Sequence, residues 1–178
     1  IVAEARNLLG HLDHAAGNND EAVRWFSLSV EAFKALGIPW GVGNGLSGMA
    51  WVALASGDID RAGQLLNEAA PWLAQAGPRF SELGLYIRAV LAVRRGNANE
   101  AIRFVRESLA RILELQDKFA FVYALVRLAA AAVLEGDDEW AARSLGARDA
   151  ITERTGAALL DPSVADLREQ AERGARAR

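Results

Sequence analysis

The 178-residue chain contains no cysteine, which excludes disulfides, thiolate metal sites and a cysteine nucleophile. Histidine is nearly as scarce, occurring only at positions 11 and 14. Lysine occurs only at positions 34 and 118, and the other 18 of the 20 basic residues are arginine. Against 23 acidic residues the net charge is −3, so no overall field draws the chain toward nucleic acid or anionic lipid. Long apolar runs are lacking too. The longest, Phe119 to Leu134, is about one turn short of a membrane span and is interrupted by Arg127. No secretory pattern opens the chain, so the expectation is a soluble, cytoplasmic protein that does not enter a membrane. Met49 is the one methionine and helix-forming sequence begins at Ile1, so the segment reads as a fragment of a longer protein.

What is present is a repeat. Gly17-Asn18-Asn19-Asp20-Glu21-Ala22, Gly57-Asp58-Ile59-Asp60-Arg61-Ala62, Gly96-Asn97-Ala98-Asn99-Glu100-Ala101 and Gly136-Asp137-Asp138-Glu139-Trp140-Ala141 follow one another at steps of 40, 39 and 40 residues. A glycine stop followed by an Asn or Asp start, at this period, is the signature of stacked helical hairpins. A second punctuation splits each unit, at Gly37-Ile38-Pro39-Trp40, Gly77-Pro78-Arg79-Phe80, Gln116-Asp117-Lys118-Phe119 and Thr155-Gly156. The spacing predicts hairpins over 1–36, 41–76, 80–116 and 119–155, with first helices ending near 16, 56, 95 and 135. A capping helix is expected over 161–175, with Asp161 as N-cap and Pro162 in its first turn. The fold expected is an all-α, right-handed superhelical solenoid forming a single domain over 1–178.

Each glycine stop suits a left-handed C-terminal residue, and the Asn or Asp after it can accept from free amides of the next helix. Pro71 falls inside a second helix, where it removes one backbone bond and predicts a kink. Small residues keep register: Gly10, Ala50, Ala89 and Ala129 precede Ala22, Ala62, Ala101 and Ala141 by 12. Paired small positions let antiparallel helices approach closely, with Phe26, Leu66, Val105 and Leu145 filling the space beside them.

These residues resemble the tetratricopeptide repeat, which places a small residue and an alanine 12 apart with a bulky residue four beyond. The chain departs from that pattern in its longer period and in having Arg6, Leu46, Leu85 and Leu125 where early aromatics are usual. Phrases such as Asn7-Leu8-Leu9-Gly10 and Leu54-Ala55-Ser56-Gly57-Asp58 are similar to the C-terminal repeat arms of bacterial signal-transduction ATPases, including LuxR-type transcriptional regulators. The stretch from Leu145 to Gly156 resembles the end of such an arm. The resemblance implies a nucleotide-binding portion and a DNA-binding domain outside this segment. It also implies a concave wall lined by first helices, carrying Asn7, His11 and His14, then Asn44, Ser47 and Trp51, then Tyr86 and Arg94, then Tyr123. A protein, a peptide or a small inducer is the expected occupant. Trp51 and Tyr86 suit either binding anchors or packing inside the superhelix. Grip on acidic chaperone tails would need basic and amide groups where this chain has Asn7, His11, Gly48, Leu83 and Ile87.

Other motifs have plainer explanations. Gly43, Gly45 and Gly48 spell G-x-G-x-x-G, but a dinucleotide turn needs a strand before it, and here the register puts all three inside a helix. There they loosen the helix start, an effect that close contact with the preceding hairpin can offset. His11 and His14 lie one turn apart around Asp13, yet two ligands are too few for a metal. Arg168, Arg173, Arg176 and Arg178 give the last helix a basic end without the interleaved aromatics of a nucleic-acid patch. No nucleophile-base pair or phosphate-cradling lysine loop is visible. A non-catalytic interaction or ligand-sensing arm without a cofactor is the leading reading. A self-associating scaffold, and more remotely an all-α enzyme, are the alternatives. Replacing Ala62 or Ala101 by arginine is expected to destabilise the packing by several kcal/mol, because each puts an unpaired charge in a seam; thermal denaturation of the two variants measures it.

Overall fold

The computed structural model describes residues 1–156 and 162–177, which form nine helices and contain no strand. In chain order these are α1 (Val2–Ala15), α2 (Asn19–Ala35), α3 (Pro39–Ala55), α4 (Ile59–Ala76), α5 (Pro78–Arg94), α6 (Ala98–Leu115), α7 (Lys118–Glu135), α8 (Asp138–Thr155) and α9 (Pro162–Arg176). None of the described helices is long and apolar enough to cross a membrane. Asp161 and Arg178 lie outside the described residues.

The boundaries follow from the punctuation. Gly17, Gly57, Gly96 and Gly136 all take positive φ, between 70° and 82°, the conformation in which a side chain would clash with the backbone. The start signals work at three stops of four. Asp58, Asn97 and Asp137 accept from the amides of Arg61, Glu100 and Trp140 at 3.0, 3.2 and 3.0 Å. Asn18 departs from the expectation. Its side-chain Nδ2 donates to Asp13 Oδ1 at 3.1 Å, an orientation in which its Oδ1 caps no amide of α2. Helices α3 and α5 begin two residues before the expected 41 and 80, since Pro39 and Pro78 serve as first helical residues, where a missing N–H is no loss. The α6–α7 turn has no glycine, and Gln116 itself adopts φ 53°. Helix α4 continues through Pro71 to Ala76.

The helices pack as two compact units, Ile1–Ile87 and Arg88–Arg178, with the division inside α5. In the first, α1 packs on α2, α2 on α3 and α3 on α4. In the second, α6 packs on α7 and α7 on α8, while α9 covers α7 and α8. The paired small positions are all buried: Gly10, Ala50, Ala89 and Ala129 in the first helices, and Ala22, Ala62, Ala101 and Ala141 in the second. Phe26, Leu66, Val105 and Leu145 are buried beside them. On the underside of α9, Ala171 meets Ala129 and Leu145. Its arginines are matched within the helix, Arg168 with Glu172 at 2.7 Å and Arg173 with Glu169 at 3.5 Å, so the basic end seen in the sequence is largely neutralised.

The glycines of α3 are packing surfaces. A Cβ added at Gly41, Gly45 or Gly48 would come within 2.2, 2.6 and 2.5 Å of Phe33, Val30 and Phe26 respectively. These are successive turns of α3 against successive turns of the antiparallel α2. Gly43 faces the other way, and its Cβ would lie 2.6 Å from Leu73 of α4. Gly10 of α1 closes on Phe26 from the far side at 2.7 Å. The G-x-G-x-x-G spelling thus reflects one helix held closely between two others. Gly48→Ala is expected to destabilise by about 1–3 kcal/mol through overpacking. Gly146→Ala, in α8 with open space around its added methyl, is expected to stabilise by about 0.5–1 kcal/mol. Urea denaturation midpoints of the two variants should move in opposite directions.

Candidate functional site

In the first unit, the predicted groove residues of α1 and α3 meet through one hydrogen bond. Asn44 Nδ2 donates to Asn7 Oδ1 at 3.1 Å. Asn7 is 6 % exposed, and among the described residues its own Nδ2 has no hydrogen-bond partner. Turning both amides over would preserve the pair and leave Asn7 an unused acceptor instead, because one contact uses only half of an amide. The pair lies beside Gly45, where an added Cβ would stand 3.8 Å from Asn7 Nδ2, an ordinary contact distance.

Trp51 and Tyr86 are also brought together. Their ring centroids are 5.3 Å apart with planes at 62°, an edge-to-face geometry that joins α3 to α5. Trp51 is buried and Tyr86 half-buried. Ser47 is buried with its hydroxyl donating to Gly43 O at 2.8 Å, so its polar group is used inside its own helix.

The two histidines point at α2 and its N-terminal turn. The His11 ring stands edge-on to Phe26, centroids 4.9 Å apart at 79°. His14 Nδ1 lies 3.2 Å from Asn19 Oδ1, a contact that the tautomer with its proton on Nδ1 makes as a donor. Among the described residues no three His, Asp or Glu side chains gather to hold a metal ion. Two of the positions that acidic-tail recognition would use are occupied by packing, since Gly48 lies on Phe26 and Ile87 is fully buried.

Arg94 and Tyr123 belong to the second unit. Arg94 Nη2 lies 3.6 Å from Asp166 Oδ2 of α9. The Arg127 guanidinium carbon stands 5.8 Å from the centre of the Tyr123 ring, within cation–π range. Arg127 is buried at 2 % exposure. Sequence reasoning treated it only as a break in an apolar run, although an arginine in the middle of such a run is the signal by which a buried guanidinium is found. A cleft of about 780 Å³ opens at one end of this unit, lined by Ile112, Leu113, Phe121, Ile151 and Arg154 among others. None of the predicted groove residues lines it.

No protein-family model matches the chain, and no curated protein matches it.

The histidine geometry has a measurable consequence. Burial holds the His11 pKa below its ordinary value of 6.5, and the neighbouring His14 lowers it further. The unfolded chain therefore takes up the proton first as pH falls, so stability is full above that ordinary value and declines on acidification through it. Between about pH 7.5 and 5.5 the melting temperature should drop less in His11→Gln than in the parent chain, as measured by circular dichroism.

Proposed function

We propose that this chain is a non-catalytic recognition arm, holding a protein segment, a peptide or a small inducer in a groove of the first unit where the half-buried Asn44 and Tyr86 reach the surface. The observation that carries this reading is the Asn7–Asn44 amide pair. A buried side chain with an unused hydrogen-bonding atom is unfavourable unless something supplies the missing partner. An amide presents both a donor and an acceptor, which suits the amide and carboxyl groups of peptides and of many small effectors. The half-buried Tyr86, backed by the buried Trp51, provides contact area, while the half-buried Asn44 amide sets orientation.

The resemblance of the repeat phrases to the arms of LuxR-type and related ATPase regulators supports placing the chain in a multidomain bacterial regulator. In that setting the arm restrains or releases an ATPase, and occupancy of the arm shifts the balance between the two states. Direct nucleic-acid binding by this segment is not part of the proposal, because its charge is near balance.

A tryptophan-fluorescence screen of peptides and small effectors tests the reading. Ligands should be found whose affinity falls about tenfold in Asn44→Ala while the melting temperature stays within a few degrees of the parent. Ligands indifferent to Asn44, or none at all across a broad screen, would overturn it.

A further inference from the structure

Helix α3 is covered on both sides: Gly41, Gly45 and Gly48 meet α2, while Gly43 meets α4. Among the described residues helix α1 is covered on one side only. Its buried residues are Ala3, Asn7 and Gly10, three positions on a single face. On the opposite face Ile1, Ala5, Leu8 and Leu12 recur at i, i+4, i+7 and i+11 and are all exposed. Leu8 is 63 % exposed and Leu12 67 %. Val2 and Leu9 widen the exposed apolar surface.

The repeat register explains this face. Stepping back 40 residues from Gly41, Gly45, Gly48 and Val52 arrives at Ile1, Ala5, Leu8 and Leu12. Those four α3 positions include the three glycines that take Phe33, Val30 and Phe26 of the preceding helix, together with Val52, which joins Ala22 and Phe26 in the core. The second of the four positions is small in every unit: Ala5, Gly45, Gly84 and Ala124. Gly84 stands against Leu73 of α4, the helix before it, where an added Cβ would lie 3.0 Å away. Gly45 and Ala124 are buried like Gly84, whereas Ala5 is open to solvent. A small residue lets a neighbouring helix approach closely, and Ala5 has the small residue without the neighbour.

We propose that the outer face of α1 is a docking seam for one more helix, antiparallel to α1, from a hairpin preceding it in the same polypeptide. That helix would present bulky apolar side chains at i, i+4 and i+7, as α2 presents Phe26, Val30 and Phe33 to α3. The occupant is inferred from continuity: the α2–α3 seam already exists in this unit, and α1 carries its counterpart surface. The inference is independent of the recognition role proposed above, because it concerns the face of α1 opposite Asn7.

The absence of native cysteine makes a direct test available. Single-cysteine variants Leu8→Cys and Leu12→Cys, with Leu113→Cys in the second unit as control, are labelled with a maleimide in this segment alone and in the full-length polypeptide. For the full-length form any other cysteines are first replaced by serine. The labelling rates at 8 and 12 should fall about tenfold or more in the full-length form, as expected for a site that reacts only on local opening, while the rate at 113 stays unchanged. Equal rates in the two forms overturn the proposal. Protection in the isolated segment that grows with protein concentration, accompanied by a doubled mass in sedimentation, also overturns it and makes a second copy the occupant.

Discussion

The first unit depends on one contact: the ring of Phe26 held between Gly10 of α1 and Gly48 of α3. Three helices can share one buried side chain only if two of them present bare backbone at that height. The same geometry recurs along the seam as Val30 meets Gly45 and Phe33 meets Gly41. Closely packed interiors respond to single methylene changes, so this seam fixes the spacing of α1, α2 and α3 together. The Asn7–Asn44 bond is a consequence of that spacing. At a wider separation the two short amides would not reach each other across the α1–α3 contact.

Polar groups that the resemblance assigned to a groove divide into two kinds once the helices are in place. Ser47, His14 and Arg94 find partners on their own helix or on another one. Asn7 and Asn44 find each other and still leave one amide atom unused. Exposure does not separate the two kinds, since Ser47 and Asn7 are both buried. What separates them is whether the hydrogen bonds close within the protein, and a residue whose bonds do not close is where an outside partner gains most.

Much of the helical layout was legible in the residues because the local signals act locally. Glycine stops and Asx starts depend on the backbone within a few residues, so the nine described helices could be bounded to within two residues. The misses were local competitions. Asn18 had a carboxylate one turn back as an alternative partner, and Pro39 and Pro78 could close the preceding turn or open the next helix, and opened the helix. The candidate site was far less legible. The directions of His11 and His14 depend on Phe26 and Asn19 of α2, contacts that periodicity alone does not specify. The glycines of α3 show both sides of this: their place inside a helix followed from register, but the side chains that need their emptiness belong to α2 and α4.

Helix α3 carries four glycines among its 17 residues, each disfavouring an isolated helix by roughly 1 kcal/mol relative to alanine. Detached from its neighbours, this stretch has almost no tendency to coil on its own, and its order is borrowed from the helices on either side. Such a segment acquires shape late, once α2 and α4 offer surfaces to condense upon, and it loses shape as soon as either departs. The first unit should therefore behave as a single cooperative foldon rather than as hairpins that melt in turn, with its most fragile helix at the centre and not at an end.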